Sequence, residues 1–241
     1  ERINMSDNLQ TTLHNLIHSG VWSNPAMSIL INDYTQYHLV LVAAGGLLVI
    51  MFLLLSIFLG VRLKRVPKAD TRKWTFEKKV YFSFGALSLM VGALFALIVL
   101  ANATNVVDPH HGFTLLVDSL GAPNAGTQKY QLYQAFNTWI QSGIPNIPAV
   151  AQSRFLERIS FHSTKALVSG VLMVVFIVVS IRIWNLLIKQ SKANEAKWRL
   201  KENALLISGV ATISFSLLLL VIVVANMQAA VAPIALTLLY G

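Results

Sequence analysis

The chain has 241 residues, of which 55% are hydrophobic and only 12% charged, with a formal net charge of +9 and no cysteine. A soluble domain carries about 25% charged residues, so this composition argues against an ordinary water-soluble globule and for lipid as the solvent of the apolar side chains. Without cysteine there are no disulfides, iron–sulfur clusters, thiolate zinc sites or thioether-linked haem.

The sequence opens on Glu1 rather than Met, as expected of a processed chain or an incomplete one; a removed signal peptide is one such case. The first patterned stretch is LQTTLHNLIHSG at 9–20, which puts Leu9, Leu13, Leu16 and Ile17 on one side of a helix. Gly20 is placed to end it, so an outer amphipathic helix is expected at about 8–19. Leu39–Val61 follows without a single charge, and Val80–Ala101 is also uncharged. A bilayer core about 30 Å thick needs about 20 helical residues, so two spans are expected, at about 38–62 and 80–103. The same order then returns. LYQAFNTWIQSG at 132–143 repeats the outer helix, at about 131–142, with Gly143 at its end. Ala166–Ile181 is a short apolar run, but Lys165 and Arg182 flank it and can reach the two surfaces, giving a third span at about 162–187. The fourth is expected at about 203–227, followed by an apolar tail at 228–241. Runs of this length without period-two alternation exclude a transmembrane barrel.

The two halves echo one another residue by residue. IVLANATNVVDP at 98–109 and IVVANMQAAVAP at 222–233 agree at six of twelve positions, Asn102/Asn226 and Pro109/Pro233 among them. At the same offset of 124, His38 meets His162, Gly46 meets Gly170, Phe52 meets Phe176, Ser56 meets Ser180 and Gly85 meets Gly209. Both basic turns read K-A-x-x-x-K-W, at Lys68–Trp74 and Lys192–Trp198. Matched Trp, Lys, His, Asn and Pro are not generic lipid-facing residues. The expected fold is therefore an all-α integral membrane protein with four transmembrane helices. They form two tandem, parallel helical-hairpin repeats (1–124 and 125–241), each preceded by an outer amphipathic helix. An even number of spans per unit makes the copies parallel rather than inverted. Asn102 and Asn226 are expected to cap the ends of the second and fourth spans, with the prolines stopping those helices soon after.

Charge sets the expected orientation. The connections at 62–79 and 182–202 hold fourteen of the nineteen Lys and Arg residues against four acidic ones. Basic loops stay in the cytoplasm, which puts both termini and the segment at 103–161 outside. The basic balance is thus topological, and no nucleic-acid partner is expected; Trp74, Trp198, Lys73 and Lys197 read as interface anchors. Gly85, Ser88 and Gly92 recur as Gly209, Thr212 and Ser216. These small residues at helical spacing are expected to pack spans two and four against neighbouring helices. Ala43–Gly46 is a second such patch.

Residues able to carry chemistry are few. His14 and His18 share a helix face, and Asp108, His110 and His111 sit in one short stretch. Together they are a candidate metal set, because imidazole is the commonest metal ligand. His38 and His162 stand at matching depths and are candidate axial ligands for a haem b, although interfacial anchoring of helix starts explains them too. Arg154, Glu157 and Arg158 read as an interfacial anchor or an anion-binding patch. No carboxylate falls inside a span, and there is no phosphate-binding glycine loop or nucleophile elbow. The uncharged tail after Pro233 is costly if exposed and is expected to meet the outer interface or a partner.

These features favour a non-catalytic multi-pass membrane subunit over an enzyme. It would be an accessory or scaffold component of a larger cell-membrane complex, of transport type among others. Its expected partners are the lipid bilayer and other membrane subunits or a second copy. No cofactor is required by this reading. Two alternatives remain: a haem- or metal-binding electron-transfer subunit using His38 and His162, and an oligomeric transporter or channel.

Overall fold

The computed structural model describes residues 8–20, 23–67, 74–193 and 200–240. Among them there are eight helices and no strand: α1 Leu9–His18, α2 Pro25–Arg65, α3 Phe76–Val107, α4 Pro109–Asp118, α5 Gln128–Ser142, α6 Ala149–Ala193, α7 Leu200–Val231 and α8 Pro233–Tyr240. Four of these, α2, α3, α6 and α7, are long and apolar enough to cross a membrane. The protein is thus all-helical with four candidate transmembrane helices.

Helix ends follow local chemistry. The Asn8 side chain accepts from the Gln10 N–H at the start of α1, and Asp108 and Thr127 do the same for α4 and α5. Such caps replace the partners that the first N–H groups of a helix lack. Gly20 and Gly143 take φ of 65° and 66°, the left-handed conformation in which glycine closes a helix. The outer helices expected at 8–19 and 131–142 are α1 and α5, the latter starting a turn earlier because Thr127 caps it.

The long helices run further than a bilayer demands, over 41, 32, 45 and 32 residues for α2, α3, α6 and α7. This corrects one expectation. Asn102 and Asn226 lie inside α3 and α7, which continue to Val107 and Val231, so neither side chain caps a helix end. Pro109 and Pro233 do more than stop a helix: each stands first in a new one, where its missing N–H costs nothing. Similarly, His38 and His162 are interior to α2 and α6 rather than at helix starts.

The chain separates into two compact units that do not follow the two halves. One draws on the chain up to Val42, on Leu100–Thr164 and on Asn226 onward; the other on Ala43–Val99 and Lys165–Ala225. The first has a water-type core. Leu13, Met27, Val117, Phe136 and Ile140 are fully enclosed, with Phe113, Phe155 and Leu238 beside them. The helix α8 belongs to this core. Ile234, Thr237 and Leu238 are buried, so this part of the apolar tail is covered by its own chain rather than by an external partner.

The second unit is the reverse: Leu47, Leu97, Leu167 and Ile207 are each more than 60% exposed. Its helices meet through small residues. A Cβ on Gly85 would lie 3.6 Å from Leu59 Cβ, and one on Gly92 3.4 Å from Phe52 Cβ, so α3 packs on α2 along this ridge. Ser88, Thr212 and Ser216 are buried on the same kind of face. Gly209 receives the Trp184 indole of α6, whose Nε1–H donates to the Gly209 carbonyl at 3.3 Å. At the corresponding carbonyl, Gly85, the donor is the Ser56 hydroxyl at 3.0 Å. Of the anchor residues, Trp74 is half-exposed, with its ring edge-on to Phe82; Lys73, Lys197 and Trp198 lie outside the described residues. Nearby, Lys192 forms an ion pair of 2.9 Å with Glu77.

Candidate functional site

Two pairs of polar side chains in the first unit meet where the apolar runs of the long helices begin and end. His38, on α2 just before Leu39, places Nδ1 2.6 Å from Asn102 Oδ1 on α3. On α6 and α7 the same pairing recurs, with His162 Nδ1 2.8 Å from Asn226 Oδ1. A carboxamide oxygen only accepts, so the ring hydrogen sits on Nδ1 and, in the neutral imidazole, Nε2 carries the lone pair. Polar groups next to lipid must find a partner inside the protein, and a histidine–asparagine bond satisfies both while tying two span helices together.

The surroundings of the two rings differ. Tyr34 packs edge-on against His38 with ring centroids 4.5 Å apart, and Tyr37 lies 5.3 Å away. Phe161 takes the edge-on place beside His162 at 5.2 Å. Gly112 of α4 lets the Tyr34 hydroxyl and the Asn105 side chain approach its backbone where any Cβ would collide with them.

Around this centre, α8 is locked in by groups that sequence reasoning did not single out. The Ala235 N–H donates to Asp33 Oδ2 at 2.7 Å, so a buried carboxylate sits at the N-terminal turn of α8, where the helix dipole favours negative charge. The Gln228 amide donates to the Tyr37 carbonyl at 3.1 Å. The Tyr133 hydroxyl donates to the Leu238 carbonyl at 2.8 Å, and burial pushes its pKa above the usual tyrosine range. The long-range partner that gives Asp33 its role is 202 positions away in the sequence.

The candidate metal set is not gathered at one point. His14 Nε2 pairs with Asp118 Oδ1 at 3.1 Å, and its ring stacks on His18. Asp108 spends its carboxylate on the His111 N–H at the start of α4. Among the described residues, no group of three or more His, Cys, Asp or Glu is close enough to hold a metal ion. For a haem, His38 and His162 each offer only Nε2, since Nδ1 is bonded to asparagine. Compared with protein families, with curated proteins and with solved structures, the chain matches none.

Proposed function

We propose that this chain is a non-catalytic, multi-pass membrane subunit made of two tandem copies of one helical hairpin. The copies enter lipid from the same side, with both termini outside and the basic loops at 62–79 and 182–202 in the cytoplasm. The observation that carries the reading is the use of polar groups at the span ends. His38 bonds Asn102 and His162 bonds Asn226 at matching positions in the two halves. The histidines most able to do chemistry are thereby spent on holding each hairpin closed. Its role is to present lipid-facing helices to other membrane subunits or to a second copy. Gly46 on α2 supports this, because a Cβ there would meet nothing within 4 Å; an open small residue on an apolar helix admits another helix at short range.

Co-purification from native membranes after chemical crosslinking, read by mass spectrometry, tests the partner. A stoichiometric membrane protein or a crosslinked dimer is expected, and recovery of the chain alone as a monomer refutes the role. Orientation is tested separately. The chain has no cysteine, so single cysteines at Asn124 and Lys64 report on sidedness without background. An impermeant maleimide added to intact cells should label the first and spare the second.

The electron-transfer reading has one observation in its favour: an imidazole whose Nδ1–H is held by an acceptor is oriented to ligate through Nε2. Its mark is a Soret band in the purified protein that disappears in His38→Ala.

A further inference from the structure

At two pairs of equivalent positions the two halves differ in both charge and burial. Leu30 and Tyr34 on α2 are buried, and Tyr34 packs on Phe113 of α4. The residues 124 positions later are Arg154 and Arg158 on α6. Where the first half is filled by apolar side chains, the second opens as a cleft of about 440 Å³, with Gln128, Gln131, Arg154, Glu157, Arg158 and His162 among its lining. Five Lys and Arg residues lie outside the two basic loops, and two of them, Arg154 and Arg158, line this cleft.

We propose that this cleft binds the phosphate group of an anionic ligand, gripped by the guanidinium groups of Arg154 and Arg158. Residues four apart lie on one face of a helix, so the two forks point into the same space. Arg158 has neither an ion pair nor a hydrogen bond among the described residues, and it is half-buried. A partly buried guanidinium without a counter-charge is a site for an anion, because five donors in a rigid fork match oxygen acceptors in pairs.

Arg154 does have a partner, Glu157 at 3.0 Å, but the pair is well exposed, with Glu157 at 70%. Such surface pairs are weak, and Arg154 keeps donors free for a second acceptor. Two arginines against one glutamate leave the cleft positive. The first turns of α5 and α6 both contribute to its wall through Gln128, Gln131 and Val150, which adds the positive ends of two helix dipoles. A phosphate offers more oxygens to two forks than a carboxylate does. Leu132, Val150 and Phe161 supply an apolar side to the same cleft, suited to the glycerol and upper acyl carbons of an anionic phospholipid.

The test uses the full chain in phosphatidylcholine nanodiscs, with phosphatidylglycerol added as one probe and glycerol phosphate as the other. Retained lipid is read by native mass spectrometry and affinity by titration calorimetry. Phosphatidylglycerol should bind in preference to phosphatidylcholine. Arg158→Gln should weaken it about tenfold, Arg158→Lys less, because charge remains while the fork is lost, and the double change Arg154→Gln, Arg158→Gln should abolish it. Lys79→Gln, in the first turn of α3 and away from the cleft, should leave binding unchanged. Glycerol phosphate binding as tightly as the lipid, with the same arginine dependence, supports the site and assigns it a soluble phosphate. Wild-type affinity for both probes in the double variant, with its helical circular dichroism intact, overturns the proposal; so does equal retention of phosphatidylcholine and phosphatidylglycerol.

Discussion

The two compact units solve the same problem in opposite ways. In the first, helices of 8 to 15 residues and the end turns of the long ones bury Phe136, Leu13 and Ile140 to 0% exposure. In the second, many apolar side chains such as Leu47, Leu97 and Ile207 point outward, and the helices meet through small residues such as Gly92, Ser88 and Thr212 together with a few ring pairs, Phe52 with Phe95 and Phe84 with Trp184 among them. The difference teaches that hydrophobicity alone does not say what is inside. In water, burial of apolar area drives helices together. In lipid that drive is absent, and close backbone approach with well-made hydrogen bonds takes its place.

The largest effect should come from emptying the water-type core. Phe136→Ala is expected to cost about 3–5 kcal/mol, whereas Leu97→Ala on the exposed face of α3 should change stability by less than about 0.5 kcal/mol. Reversible unfolding in mixed micelles measures both, and equal losses would erase the distinction between the units. Next come the glycines. A Cβ on Gly209 would lie 3.0 Å from the Trp184 ring, while Gly46 has open space above it. Gly209→Leu should therefore cost about 1–3 kcal/mol through overpacking, and Gly46→Leu should be near neutral for the fold while weakening association with a partner. The smallest effect lies in the polar ties. A double-mutant cycle on His38→Ala and Asn102→Ala should give a coupling of about 0.6 kcal/mol, with a like value for His162 and Asn226. A coupling present in one half and absent in the other would mean that the two histidines serve different ends.

Much of the architecture was legible along the chain. Uncharged runs announced the four long helices, and Gly20 and Gly143 marked the ends of α1 and α5. What escaped were pairings between distant residues. Asn102 and Asn226 recur in the same context, and that recurrence alone could have marked them as partners of the equally recurrent His38 and His162. They read instead as caps because an apolar run ends there. Hydropathy, however, reports where lipid-compatible sequence stops, not where hydrogen-bonded helix stops. The tail at 233–240 looked orphaned because its cover comes from α2 and α5, through Asp33 and Tyr133, neither of which is near it in sequence. The replacement of Leu30 and Tyr34 by Arg154 and Arg158 was visible in the alignment of the halves; the cleft it opens was not.

The sequence by itself determined which segments are helical and apolar enough to cross a bilayer, since length, charge and backbone satisfaction are local properties. Tertiary structure alone decided which apolar residues face a core and which face lipid. It also decided which histidine meets which asparagine, and where an arginine is left without a partner. Those outcomes depend on which helices come within a few ångströms of one another, and residues 64 to 202 positions apart have no local signal that states it.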